Sequence, residues 1–227
     1  MGQFIVEGIK CVEEAMSSGW NVERIYILEA NHESSALQSA VAQRVSAKEM
    51  QALTALSTPS PALAVVQIPQ AVPFNVKEHV KDRLLMLDEI SDPGNLGTII
   101  RTADWFGLRN VVLSENCVDI FNPKAVQASM GSVFRVNAFH EDLGACIRSL
   151  RSESDRYSII AAVMDGALIQ DLRHIGTGAM IIGSEAHGIR PEILDLATDR
   201  RSIPGVVGAE SLNASIAAGI LMYAWTR

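Results

Sequence analysis

The sequence predicts an α/β protein in two parts: a small N-terminal α/β unit, then a larger one built on a mainly parallel sheet. Short apolar runs of strand length alternate with segments whose apolar residues recur at helical spacing. Strands separated by helices imply parallel pairing, because a parallel neighbour needs a crossover. A polar stretch carrying Pro69 and Pro73 divides the chain into residues 1–70, a linker over 71–80, and residues 81–227.

In the first unit, Glu7–Ser18 has helical periodicity and runs into Gly19, a residue suited to a C-cap. RIYIL at Arg24–Leu28 reads as a strand, Ala36–Ala42 as a helix and Arg44–Ser46 as a short strand. Ala47–Ser57 reads as a helix and ALAVVQI at Ala62–Ile68 as a strand. In the second unit, RLLML at Arg83–Leu87 is a strand of the buried type. Asn95–Phe106 is a helix with Leu96, Ile99, Ile100, Ala103 and Phe106 on one face. Strands at Asn110–Ser114, Phe134–Ala138, Ser158–Val163, Gly178–Ile182 and Arg201–Ile203 follow, interleaved with helices at Lys124–Ser129, Leu143–Ser152 and Pro191–Leu196. Asn213–Trp225 is the final helix; its small residues Ala214, Ala217, Ala218 and Gly219 suit close packing, in the core or across a dimer interface.

Composition narrows the classes. The longest apolar run, Ile216–Trp225, is about half of the roughly 20 residues a membrane span needs. MGQFIVEG carries Glu7 where a secretory leader has a basic start and an apolar run. Cys11, Cys117 and Cys146 are far apart and lack metal-ligand spacing, which fits a reducing cytoplasm and no metal site. The net charge of −7 argues against a nonspecific nucleic-acid binder. The first 80 residues hold five bases (Lys10, Arg24, Arg44, Lys48, Lys77) against eight glutamates, so any RNA contact is concentrated elsewhere or assembled across an oligomer.

Three segments have the character of a site. In DEISDPGNLGTIIRTADWFG, Asp88–Gly107, a strand ends in a Pro-Gly turn, and Asn95 is placed to cap the helix that follows. Arg101 stands more than one turn into that helix, off its apolar face, where a guanidinium can fork onto a phosphate or remain a surface charge. In MIIGSEAHGIRPEIL, an apolar strand runs into Gly183, Ser184, Glu185 and Gly188: a ligand's approach to backbone, or simply a tight turn. No GxGxxG is present, so the dinucleotide fingerprint is absent, which argues against the rival reading of a nucleotide-dependent oxidoreductase; nicotinamide binding would revive it. In SIPGVVGAESLNASIAAGILMYAW, Ile203 and Pro204 end a strand, and Ser211 or Asn213 caps the last helix.

Together these segments resemble the three motifs of the SpoU, or TrmH, family of SPOUT RNA ribose methyltransferases. Asn95, Gly97, Arg101, Thr102 and Ala103 match the first motif. Ile182, Gly183, Ser184, Glu185, Gly188 and Ile189 match the second. Ile203, Pro204, Glu210, Ser211, Leu212, Asn213, Ser215 and Ala217 match the third. Each motif alone is weak; three in order over Arg83–Tyr223 are specific. FIVEG, VSAKEMQALT and ALAVVQIP in the first unit are similar to the ribosomal-protein-like substrate-binding domain of longer members.

The resemblance implies a C-terminal domain with a trefoil knot, which general topology rules would reject. It also implies an obligate homodimer and S-adenosylmethionine as cofactor, contacted by Gly183, Ile203 and Leu212. Arg101 is implied at the ribose, with Asn95, Glu185, Ser211 and Asn213 orienting it, the ribose and the cofactor. The expected reaction is methyl transfer to a ribose 2′-hydroxyl, in 23S ribosomal RNA ahead of transfer RNA. A guanidinium with a pKa above about 12 is a poor base. Two roles therefore stand open for Arg101: a base tuned by RNA phosphate, or a clamp on phosphate and hydroxyl. The clamp needs no extreme pKa shift. The non-enzymatic alternative is an RNA-binding or ribosome-assembly protein of the same fold.

Overall fold

The computed structural model describes residues 2–29, 41–169, 172–205 and 211–227. Most of the helix expected at Ala36–Ala42 lies outside them. The first unit comprises β1 (Gln3–Glu7), α1 (Ile9–Ser17), β2 (Val22–Leu28), β3 (Ala42–Val45), α2 (Ala47–Leu53) and β4 (Ala62–Gln67). Its sheet runs β1-β4-β2-β3, with β4 antiparallel to both neighbours and β2 parallel to β3. The periodicity at Glu7–Ser18 hid β1, because Glu7 belongs to the strand. Gly8, at φ 100°, breaks the chain direction before the helix starts at Ile9. The buried Glu7 carboxylate accepts from Thr54 Oγ1 and from the Ala55 N–H at 2.9 Å, which satisfies its charge inside the unit. Ser46 and Glu49 form a reciprocal capping box on α2.

Within the linker, α3 (Val76–His79) forms one turn, and the Phe74 N–H donates to Glu141 at 3.1 Å. The second unit adds β5 (Arg83–Asp88), α4 (Pro93–Phe106), β6 (Asn110–Leu113), α5 (Pro123–Ser129), β7 (Asn137–His140) and α6 (Leu143–Glu153). Then come β8 (Ser158–Leu168), β9 (Gly178–Gly183), α7 (Pro191–Leu194), β10 (Asp199–Ser202) and α8 (Ala214–Thr226). The sheet order is β10-β8-β9-β5-β6-β7 and every pairing is parallel. β5 is buried on both faces, as an all-parallel sheet requires. Leu85 and Leu87 pack with the helical layer of α4, α5 and α8, while Leu84 and Met86 pack with Leu143, Ile147 and Leu150 of α6.

The expected strand at Phe134–Ala138 is displaced. Residues Ser132–Phe134 form a 3-10 turn and β7 begins at Asn137. Met130 and Gly131 are both left-handed, at φ 50° and 88°, and they turn Phe134 away from the sheet. Phe134 joins an aromatic cluster that bridges the two units: Phe4 and Phe121 have centroids 4.8 Å apart, Trp20 and Phe134 5.3 Å.

The first-motif residue Gly97 has a packing role. A Cβ there would meet the Ala125 carbonyl and stand 2.7 Å from Ala128 Cβ, so α4 and α5 approach as only glycine allows. We expect Gly97→Val to force these helices apart, costing on the order of 1–3 kcal/mol, read as a lower urea midpoint with unchanged slope.

Candidate functional site

The site lies at the carboxyl ends of β5 and β9, where open parallel sheets place ligands. β5 ends at Asp88, fully buried, whose carboxylate is held by Arg190 beyond β9. Its Oδ1 accepts from Arg190 Nε at 2.9 Å and lies 2.8 Å from Nη2, and its Oδ2 accepts from the Arg190 N–H at 2.9 Å. The hydrogen bond to Asp88 raises the Arg190 pKa further above its ordinary value. Sequence reasoning missed this pair. Its one signal was an aspartate closing an apolar strand.

Between Gly183 and Arg190 the chain folds back on itself. Ser184 and Gly188 exchange backbone hydrogen bonds at 3.1 and 2.9 Å, with Gly188 at φ 70°. A Cβ on Gly183 would meet the backbone of Gly188 and Ile189, so this glycine makes room for its own loop. The fold-back presents Glu185 at its tip. There the Glu185 carboxylate accepts from Asn95 Nδ2, and Asn95 Oδ1 accepts from Asn213 Nδ2 at 2.9 Å. Asn213 Oδ1 in turn caps α8, accepting from the Ser215 N–H at 2.9 Å and Ser215 Oγ at 2.6 Å.

Asn95 does not cap α4. Asp92 does so, with Oδ1 accepting from the Asn95 N–H at 2.7 Å and Pro93 opening the helix. The Asn95 amide is thereby released to join Glu185 to Asn213. Ser211 and Leu212 lie exposed just before the α8 cap, and Ile203 lies half-buried beyond β10. Glu210 lies outside the described residues.

Arg101 stands apart from this line. It is six residues from Asn95, which on a helix is about 9 Å along the axis and about 120° around it. It is exposed and has no hydrogen-bond or ion-pair partner among the described residues. One turn on either side of it are Gly97, which faces α5, and Asp104, which bonds to Ser132 and Arg135. The opposite flank of α4 meets α8, with Thr102 beside Gly219 and Phe106 beside Tyr223. The structure therefore brings together Asn95, Glu185 and Asn213 but leaves Arg101 facing outward. Trp105 (80% exposed) shares its face, and Ile216 (55%), Ile220 and Tyr223 (61%) form an exposed stripe on α8.

A cavity of about 230 Å³ opens beyond β6 and β7. Glu115, Glu141, Asp142 and Glu192 outnumber Arg148 and Arg190 in its wall, which is the wrong balance for a phosphodiester. The described residues include no group of three or more His, Cys, Asp or Glu that would hold a metal. None of their helices is long and apolar enough to cross a membrane.

The SpoU rRNA Methylase family matches residues 82–223. The chain belongs to this family. Residues 1–64 match the MRM3-like substrate binding domain. The chain is similar to the 23S rRNA (guanosine(2553)-2′-O)-methyltransferase RlmP of Bacillus subtilis, at 32% identity over 97% of this chain and 87% of that protein. It is also similar to a solved TrmH-family protein from Porphyromonas gingivalis, with TM-score 0.81, 32% identity, and 99% and 90% of the two chains covered. An AdoMet-bound rRNA methyltransferase from Sinorhizobium meliloti matches with TM-score 0.79, 27% identity, and 98% and 86% covered.

Within the SpoU-family domain the Asp88–Arg190 pair fastens the second motif to the central strand. Arg190→Met leaves a buried carboxylate without its partner. The arginine is about one-third open to water (30%), so the expected loss is on the order of 2–3 kcal/mol, below that of a fully buried pair. Thermal unfolding of the variant, with hydrogen exchange at Ser184–Gly188, measures both the loss and its location.

Proposed function

We propose that this SpoU-family protein uses S-adenosylmethionine to methylate a ribose 2′-hydroxyl in ribosomal RNA, acting as a homodimer in the cytoplasm. The observation that carries the reading is the line Glu185–Asn95–Asn213, which draws one residue from each motif to a single point. A fold-bearing protein without turnover has no need of that convergence. Ribosomal RNA is favoured over transfer RNA by the similarity of residues 1–64 to a substrate-binding domain and by the RlmP-like relative. The three cysteines are buried, and desolvation leads the causes that raise each thiol pKa, Cys146 to about 12; this suits a reducing compartment. The presence of two separate sheets supports a division into a substrate-binding unit over 1–70, a linker over 71–80 and a catalytic domain over 81–227. Membership of the SpoU family supports a knotted C-terminus, whose last helix is tied to the segment before β9: the Leu172 N–H donates to Ala224 O at 3.2 Å, and Trp225 Nε1 to Ile175 O at 3.1 Å.

The residues present fit the cofactor. Gly183 opens the Glu185 loop and Leu212 adjoins Asn213 in the same line of hydrogen bonds; with the half-buried Ile203 they would offer backbone polar groups and apolar surface to an adenosyl ligand. When bound, S-adenosylmethionine supplies an electrophilic methyl on a sulfonium. The protein must present the ribose oxygen in line with it and receive the hydroxyl proton. Glu185 is the carboxylate nearest the point of convergence, and Asn95 fixes its direction. Ser211 and Asn213 border the same point. Arg101, charged and unpaired, clamps the phosphate and turns the ribose.

Arg101 faces away from its own chain's Asn95–Glu185 pair, so we assign it to the site of the second subunit. The exposed stripe of Ile216, Ile220 and Tyr223 supports a dimer through α8 and the adjoining face of α4. Purified protein should transfer radiolabelled methyl to large-subunit rRNA from a strain lacking the gene, and Arg101→Ala should abolish the label. If the protein binds S-adenosylmethionine but labels no RNA class and no ribosomal particle, the enzyme reading fails. Subunit exchange tests the shared site. Arg101→Ala and Glu185→Ala chains, each inactive alone, should regain about a quarter of wild-type activity when mixed, since half the dimers then hold one intact site. No recovery despite exchange would put both residues in one chain's site.

A further inference from the structure

Arg101 and Asp104 are three residues apart on α4, a spacing at which opposite charges ordinarily pair. Here the carboxylate is already occupied. Asp104 Oδ1 accepts from Arg109 Nη1 at 2.6 Å. Its Oδ2 accepts from Arg135 Nε at 2.8 Å and from Ser132 Oγ at 2.9 Å. The Asp104 side chain is 11% exposed and turned toward the Ser132–Arg135 turn.

Arg135 is held from the other side as well. Its Nη1 donates to Glu14 on α1, in the N-terminal unit. Gly131 makes that contact possible: a Cβ there would lie 2.8 Å from Glu14 Cγ, and its φ of 88° suits glycine. The aromatic cluster of Phe4, Trp20, Phe121 and Phe134 lies at the same junction. Glu14, Arg135 and Asp104 thus form a chain of charge from the substrate-binding unit to the helix that carries Arg101.

We propose that Arg135 is a positioning residue for methyl transfer: with Arg109 and Ser132 it holds Asp104 away from Arg101, and through Glu14 it makes that hold depend on the docked N-terminal unit. Arg101 is then left unpaired for the phosphate of the RNA. The inference rests on the reading of Arg101 as the RNA clamp.

The test replaces Arg135 with methionine, which keeps the packing of its stem. Released from Arg135, Asp104 swings to Arg101. An exposed pair is modest in strength, so kcat/KM on deproteinised large-subunit rRNA should fall about fivefold, with S-adenosylmethionine affinity unchanged. Adding Asp104→Asn to Arg135→Met should restore most of that loss, an outcome that simple damage to the fold does not produce. A second reading needs no RNA. The rate at which phenylglyoxal modifies Arg101, followed by peptide mass spectrometry, should fall in Arg135→Met and recover in the double variant. Unchanged kcat/KM and modification rate in Arg135→Met, or a double variant as impaired as the single one in both, overturns the proposal. If Arg135→Met does not fold, Glu14→Gln cuts the same chain at its outer end and should move both readouts in the same direction. Failure of wild-type protein to label any RNA would instead overturn the function, and the modification rates would still decide the positioning.

Discussion

The amide of Asn95 links two crossovers of the larger sheet to the C-terminal helix. It donates to Glu185 on the loop after β9 and accepts from Asn213 at the start of α8, while its own backbone belongs to the first turn of α4. It has this freedom because Asp92 takes over the capping of α4. Around this point the supporting interactions are steric or buried. Gly183 and Gly188 let the Glu185 loop fold flat, and Asp88 anchors its far end through Arg190. A site made of polar side chains is thus held in place by backbone packing and a buried ion pair around it.

Charge is distributed in keeping with an anionic substrate handled by an acidic protein. The net charge of −7 rules out broad electrostatic capture. Several arginines are already matched to carboxylates: Arg190 to Asp88, Arg135 to Glu14 and Asp104, Arg109 to Asp104, Arg201 to Asp199. Desolvation opposes the charge on Arg135, yet Asp104 and Glu14 outweigh it and raise its pKa. Arg101 differs in being exposed on a bare helical face. Recognition in such a protein depends on where its unmatched cations stand, more than on how many there are.

The junction between the units makes that position a property of the whole chain. β1 and α1 press Phe4 and Trp20 against Phe121 and Phe134, next to the turn that carries Arg135. The N-terminal unit therefore leans on the Gly131–Arg135 turn, and that turn is bound to Asp104 on α4, one turn from Arg101. In the proposed dimer, one subunit brings the RNA-holding flank and the other the cofactor loops. Each subunit then depends on its copy for a complete site.

The sequence by itself determined the α/β alternation, the parallel sheet and the three loops of the site, because periodicity and glycine placement are local properties. It also named Asn95, Glu185 and Asn213, since residue type and motif order are written in the chain. It mistook the N-terminal strand for the approach to a helix, as a single φ-positive glycine is invisible to apolar spacing. It placed a strand at Phe134, whose apolar character serves a junction with residues more than 100 positions earlier. It gave Asn95 a capping role that Asp92 holds, because the helix begins two residues earlier, at Pro93, and leaves the Asn95 amide for a residue 90 positions away. Only the tertiary structure decided that Gly97 and Gly183 make room for backbone, that Asp88 is a buried anchor, and that Arg101 points away from the residues it was expected to join. Each of these depends on which segments cross in space, and long-range packing carries no local signature for the sequence to display.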